Sequence, residues 1–259
     1  MIKVLVNGAL GKMGTTIIKA VEKEDDMKLV GAVDIAIKGE PDGDSLGVYS
    51  SSDLKKAIEN SSPDIVIDFT QPDYVFENAK TCIDNNVNVV VGTTVLSEEQ
   101  IINLRDMAKA KGVGCLIAPN FSTGAVLMMK FAQMASRYFD NAEIIEFHHN
   151  QKKDAPSGTA IKTAQMMAQA KDDFTFNNCE ETETLLGARG AIAKNKIHIH
   201  SVRMPGFMAS QEVIFGGQGQ LLKIVHDSHD RECYMPGIML AVRHIYNTKD
   251  FIYGLENIL

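Results

Sequence analysis

The sequence has no tryptophan, four cysteines and seven prolines among 259 residues, and its acidic side chains outnumber its basic ones. Each shortage excludes something. Cys82, Cys115, Cys179 and Cys233 are widely separated and form no C-x-x-C pair, which removes zinc ribbons and dithiol motifs. Isolated thiols beside 13 methionines fit a reducing cytosol, so the cysteines are expected to be buried spectators and the protein cytoplasmic. Lys plus Arg total 26 against 33 Asp plus Glu, for a net charge of −7. Such a chain lacks the basic field that nonspecific phosphate binding needs, so no nucleic-acid partner is expected. No apolar run approaches the roughly 20 residues of a membrane span, so no membrane association is expected. The opening Met1-Ile2-Lys3-Val4-Leu5-Val6-Asn7-Gly8 reaches glycine too soon for a signal peptide.

What is present suits a globular chain: 45% hydrophobic and 23% charged residues. The length accommodates one large domain or two modest ones, each with a core. In the first half, β-branched runs (Ile2–Asn7, Leu29–Asp34, Asp64–Thr70, Val87–Thr94, Val113–Pro119) alternate with helical stretches (Lys12–Glu24, Asp53–Asn60, Asp73–Asn85, Ser97–Lys111). Ile65-Val66-Ile67 and Val89-Val90-Val91 are apolar without alternation, as in strands buried on both faces of a parallel sheet. The reading is a Rossmann-like, doubly wound α/β domain. Near residue 122 the pattern changes. A helix over Thr123–Tyr138, a strand over Glu143–His149 and a helix from Ser157 lead into runs at Ile197–Met204, Glu212–Phe215 and Leu221–His226 without long helices between them. This predicts a second, α+β domain with a mixed or antiparallel sheet, before a closing helix over Met235–Tyr246.

Gly8-Ala9-Leu10-Gly11-Lys12-Met13-Gly14 follows the first strand and opens a helix. Gly11 and Gly14 stand where a dinucleotide fingerprint needs close backbone approach and tight helix packing, with Ala9 at its first glycine position. Helix N–H groups and dipole would favour a pyrophosphate there. Asp34, ending the second strand, is placed to hold a ribose diol. Asp68-Phe69-Thr70, Gly92-Thr93-Thr94 and Ala118-Pro119-Asn120-Phe121 end later strands at the same sheet edge, where ligands of open α/β sheets bind.

The densest polar cluster runs from Glu146 to Thr159. Ser157 is a plausible N-cap, and Ser157, Gly158 and Thr159 offer N–H and hydroxyl donors to an anion. His148, His149 and Lys152 add proton donors and positive charge, equipment for an anionic substrate with acid–base needs. Adjacent histidines on a strand face opposite ways, so one of the two could be packing only. His-His-x-x-Lys lacks metal-ligand spacing, and no metal is expected. His198 and His200 read as sheet-surface residues, and Met128-Met129 and Met166-Met167 as core filler.

These strings resemble the 4-hydroxy-tetrahydrodipicolinate (dihydrodipicolinate) reductase family of lysine and diaminopimelate synthesis. The resemblance covers Val6–Gly14, Asp68–Thr70, Val91–Thr94 and Ala118–Ser122. It is most specific over Glu146–Ala160. It implies reduction of a cyclic dicarboxylate by NADH or NADPH after loss of its hydroxyl as water, in a homotetramer built through the sheets of the second domain. It also implies that the C-terminal helix returns to the nucleotide domain. The boundaries are then 1–121 completed by 229–259, and 122–228 for substrate binding and tetramerisation. On this resemblance His148 is the acid–base residue and Lys152 the proton donor. His149, Ser157, Gly158 and Thr159 hold substrate carboxylate. Gly8, Ala9, Leu10, Gly11, Lys12, Met13, Asp34, Gly92, Thr93, Thr94, Ala118, Pro119, Asn120 and Phe121 bind cofactor. Ile35 follows Asp34 where some members carry a basic residue, which favours NADH, since a 2′-phosphate would meet the Asp34 charge unrelieved. Ser210-Gln211 stands where many members have a histidine.

Two other readings fit part of this pattern. A dinucleotide-sensing module without chemistry would keep the glycine loop and Asp34 but has no use for His148 with Lys152. A nicotinamide oxidoreductase acting on another amino-acid precursor would not need the His-His-x-x-Lys loop.

Overall fold

The computed structural model describes residues 1–38, 47–93, 96–174 and 181–259. In chain order the elements are β1 (Ile2–Asn7), α1 (Lys12–Val21), β2 (Met27–Val33), β3 (Tyr49–Ser51), α2 (Leu54–Ser61), β4 (Ile65–Asp68) and α3 (Pro72–Asp84). There follow β5 (Asn88–Val91), α4 (Glu98–Lys111), β6 (Cys115–Ile117), α5 (Thr123–Ala135), β7 (Asn141–His148) and α6 (Gly158–Ala170). The chain ends with β8 (Ala191–Ile192), β9 (His198–Arg203), β10 (Ala209–Gly217), β11 (Gln220–Ser228), α7 (Met235–Thr248) and β12 (Phe251–Tyr253). It divides into two compact units, Met1–Thr123 with Tyr234–Leu259, and Gly124–Cys233. The divisions lie two and five residues beyond the sequence boundaries at 121 and 228.

The first unit is a parallel sheet ordered β12-β6-β5-β4-β1-β2-β3. Ile65, Val66, Ile67, Val89, Val90 and Val91 are fully buried, as non-alternating apolar runs require. Helix boundaries follow local chemistry: Pro72 opens α3, while a Ser97/Gln100 capping box starts α4 and left-handed Gly112 ends it. The chain order reverses between β1 and β4, so their carboxyl ends form a topological switch point.

The second unit carries a mixed sheet ordered β11-β10-β7-β9-β8. β7 and β9 run parallel, while β10 pairs antiparallel with both β7 and β11. β10 and β11 are longer than the apolar runs because a two-residue turn at Gln218-Gly219 (Gly219 φ +70°) carries the ladder to Gly217↔Gln220. Ile144, Val213, Phe215 and Ile199 are buried from the sheet, and Met128, Met129, Met166 and Met167 from α5 and α6. α5 ends at Ala135, short of the expected Tyr138, with residues 136–138 in a turn.

Two expectations need correction. His198 is buried, its Nδ1 2.6 Å from the Arg189 carbonyl oxygen; parallel pairing with β7 covers it, whereas His200 reaches Glu143 at 2.8 Å. Cys82 and Cys115 are buried, but Cys233 is only part-buried, in a 3₁₀ turn after β11; Cys179 lies outside the described residues.

Candidate active site

In the first unit the glycine loop is tied down by backbone. Gly8 (φ +83°) and Ala9 both donate to the Val33 carbonyl, at 2.8 and 2.9 Å. A Cβ on Gly14 would sit 2.1 Å from the Gly8 oxygen, and one on Gly8 2.7 Å from the Phe69 oxygen, so neither position admits a side chain. Gly11 is the N-cap of α1, which therefore has no side-chain cap, and no acidic residue stands in its first turn. Its N–H groups and dipole are therefore directed at whatever anion the loop receives. Asp34 stands just past β2, and its Oδ2 accepts the Leu10 N–H at 3.0 Å while Oδ1 accepts the Ala36 N–H at 3.0 Å. The carboxylate thus abuts the glycine loop and keeps lone pairs for further donors. A closed glycine cradle, an uncapped helix start and an acid beside it fit a dinucleotide.

Gly92, Thr93 and Ala118–Phe121 lie at the ends of β5 and β6, and a Cβ on Gly92 would meet the Phe69 ring at 2.1 Å. Thr93 Oγ1 donates to the Thr70 carbonyl at 2.6 Å. Ala118 and Phe121 are buried, and the Phe121 ring packs on Phe69 with centroids 5.7 Å apart. These two offer a ligand backbone rather than side chain. Beneath them Asp68 is fully buried and accepts from Asn7 (2.7 Å), Asn78 (2.9 Å) and the Thr70 hydroxyl (2.7 Å). Burial pushes its carboxyl up despite those donors. Thr94 lies outside the described residues.

In the second unit the polar cluster is organised around Glu146, which no sequence argument singled out. Its side chain has no exposed surface. Oε2 lies 2.5 Å from His148 Nδ1 and accepts Arg203 Nη1 at 2.8 Å; Oε1 accepts Arg203 Nη2 at 2.8 Å and the Ser157 N–H at 3.2 Å. Burial opposes ionisation, but hydrogen bonds from His148, Arg203 and Ser201 outweigh it and hold the carboxyl at about 2. Arg203 Nη2 also donates to the Asp154 carbonyl at 2.7 Å. Arg203 was missed because it stands on β9, 57 residues from Glu146; only the register His148↔Arg203 brings it in.

Lys152 is half-buried with its ammonium 2.9 Å from both Asp154 oxygens, a contact that holds the Asp154 carboxyl below its usual range. His149 is exposed, and its Nδ1 accepts the Gln151 N–H at 3.2 Å. Ser157 Oγ caps α6 by accepting the Ala160 N–H at 3.2 Å. A Cβ on Gly158 would meet nothing within 4 Å and the first turn of α6 has no acidic residue, so there is space beside Gly158 at this helix start. His148, Lys152 and the Ser157–Thr159 turn thus lie within one loop system braced by one carboxylate. Among the described residues no group of three or more His, Cys, Asp or Glu could hold a metal.

The dihydrodipicolinate reductase N-terminal family model matches residues 2–121, and the C-terminal one residues 124–259. The chain is 51% identical to 4-hydroxy-tetrahydrodipicolinate reductase of Gloeothece citriformis, over all of this chain and 98% of that one. It is 48% identical to the enzyme of that name from Synechocystis sp., with the same coverage. A solved dihydrodipicolinate reductase from Paenisporosarcina sp. TG-14, described as dipicolinate-bound, superposes with a TM-score of 0.91 at 43% identity over the whole of both chains. With both halves matched, and relatives near 50% identity along its full length, the chain belongs to the dihydrodipicolinate reductase family.

Proposed function

We propose that His148 and Lys152 carry out the proton chemistry of an NAD(P)H-dependent 4-hydroxy-tetrahydrodipicolinate reductase in lysine and diaminopimelate synthesis, and that His149, Ser157, Gly158 and Thr159 hold a carboxylate of its substrate. The observation that carries this reading is the N-terminus of α6, with no acidic residue in its first turn, in the same loop system as a half-buried lysine and a carboxylate-braced histidine. The cofactor supplies a hydride. The remaining tasks fall to side chains: a proton must reach the reduced substrate, and a placed donor is worth about 10²- to 10⁴-fold. Two substrate carboxylates account for cations and a helix start gathering at one loop. The dipicolinate named with the Paenisporosarcina relative is a dianion of this kind, which supports the assignment.

Gly8–Met13 are assigned to the pyrophosphate, Asp34 to the adenosine ribose, and Gly92–Thr94 with Ala118–Phe121 to the remainder of the cofactor. NADH is the preferred donor. Asp34 would repel a 2′-phosphate, and Ile35, 78% exposed beside it, offers no compensating charge. Residues 1–121 with 229–259 form the nucleotide domain, and 122–228 the substrate and tetramerisation domain of a cytoplasmic homotetramer. Leu221 and Val225, 70% and 56% exposed on one face of β11, support burial of that sheet against another copy. Following NADH absorbance with freshly generated cyclic substrate tests the activity. His148→Gln and Lys152→Ala should each lower kcat at least tenfold with NADH affinity unchanged; full activity in both folded variants would remove them from the chemistry.

A further inference from the structure

Building on the reading of His148 as the acid–base group, we propose that Glu146 and Arg203 are a positioning pair. Glu146 fixes the ring of His148 through Nδ1, and Arg203 locks the loop bearing Lys152 onto the same carboxylate. The geometry leaves Glu146 little freedom. It is fully buried, and its oxygens receive both arms of the Arg203 fork, the Ser157 N–H and His148 Nδ1. An ionised carboxylate only accepts, so the proton shared with His148 must sit on Nδ1. In the neutral ring, Nε2 is then the nitrogen with a lone pair to exchange protons, and its direction is set by a carboxylate that Arg203 itself immobilises.

Arg203 extends this order to the loop. One Nη2 group bridges the Glu146 carboxylate and the Asp154 carbonyl, and the Asp154 side chain in turn holds the Lys152 ammonium. The same Glu146 oxygen takes the Ser157 N–H, the residue that caps the helix start assigned to substrate carboxylate. One buried ion pair therefore fixes the registration of histidine, lysine and anion site. Replacing such a pair by apolar residues is often neutral for stability, so stability alone does not call for an ion pair at this position. Among the described residues, the charged groups linked to His148 are Glu146 on its own strand and Arg203 opposite it on β9, with Asp154 and Lys152 joined to Arg203 through the loop; its β10 neighbour, Ala209, carries none.

Glu146→Gln tests the pair without changing its volume. Whichever way the amide turns, its NH₂ meets an Arg203 N–H, and the negative charge beside His148 is gone. The expected result is a kcat at least tenfold lower, an NADH KM within about twofold of the parent, and a basic limb of the kcat profile displaced about one pH unit downward. A structural role would lower the amplitude without moving the limb. Arg203→Lys keeps the charge but loses the fork, and should raise the substrate KM several-fold.

Should either variant fold poorly, ring ¹⁵N spectra of the parent protein decide the matter. Neutral His148, identified among seven histidines by its loss in His148→Gln, should be protonated at Nδ1. Protonation at Nε2, or an unmoved limb in folded Glu146→Gln, overturns the proposal. The two readings fail separately. A fully active His148→Gln removes the catalytic role even if the ring is held at Nδ1; an inactive one, with His148 protonated at Nε2, removes only the positioning pair.

Discussion

Acid should weaken the second unit largely through one side chain. Glu146 is fully buried and titrates at about 2 in the folded chain, against an ordinary 4.5. At roughly 1.36 kcal/mol per pH unit between folded and unfolded values, that gap is worth about 3 kcal/mol. Its sign follows from the direction. The unfolded chain takes up the proton first, so the contribution is complete above pH 4.5, shrinks as the pH falls toward 2, and is absent below. Against a typical domain stability of about 5–15 kcal/mol, this is a large share. The perturbation is a pH series from 7 to 2.5 on the parent and on Glu146→Gln. With no tryptophan in the chain, urea unfolding is best followed by far-UV circular dichroism, with hydrogen exchange and mass spectrometry assigning the loss to residues 124–233. Glu146→Gln should start weaker at pH 7 and lose about 2–3 kcal/mol less than the parent across the acid range. Parallel losses in the two proteins would refute the reasoning.

Three further outcomes are expected. Thr159→Val should weaken competitive inhibition by a planar pyridine dicarboxylate by about 1.5–3 kcal/mol, the worth of a hydrogen bond to a charged group; unchanged inhibition moves the carboxylate site elsewhere. The parent should favour NADH over NADPH by roughly tenfold in kcat/KM, about 1.4 kcal/mol, and Asp34→Ala should erase most of that ratio. A ratio that survives the substitution would clear Asp34 of the role. Gly14→Ala forces a Cβ to within 2.1 Å of the Gly8 oxygen, and should cost about 1–3 kcal/mol of stability together with at least tenfold in NADH affinity measured by titration. Unaltered affinity would place the pyrophosphate away from this loop.

The parts of the fold legible in the sequence are those where one local rule dominates. Ile2–Asn7 matches its strand residue for residue because Val4-Leu5-Val6 is apolar without alternation, as a parallel strand buried on both faces requires. Ser157 is an N-cap because a hydroxyl before a helix satisfies an orphan N–H. β3 and β12 were not legible. Each is a three-residue edge strand, Tyr-Ser-Ser and Phe-Ile-Tyr, with no run long enough to show a period. At the site, the Glu146–Thr159 string announced that His148, Lys152 and a helix start stand close together, but not what holds them in place. Arg203 becomes a partner of Glu146 only through the parallel pairing of β7 with β9, which no spacing within either strand announces. Burial of His198 was hidden for the same reason.

The return of α7 and β12 to the first sheet bears on how the chain assembles during synthesis. Gly237 packs so closely on residue 121 that a Cβ there would lie 2.0 Å from the Phe121 carbonyl oxygen, so the chain re-enters the first unit beside the point where it left. Residues 124–233 are therefore a closed excursion whose own contacts can all form once residue 233 has emerged from the ribosome. The nucleotide unit, begun first, is finished last. Its outer strand β12 pairs with β6 only after residue 253 is made, and α7 contacts the core strands β4, β5 and β6 only after residue 248. Until then the β6 edge and the apolar face of Val90 and Leu116, opposite the one that α3 and α4 cover, await a late segment. Shortening the C-terminal end should accordingly damage nucleotide binding while leaving the Glu146 cluster intact.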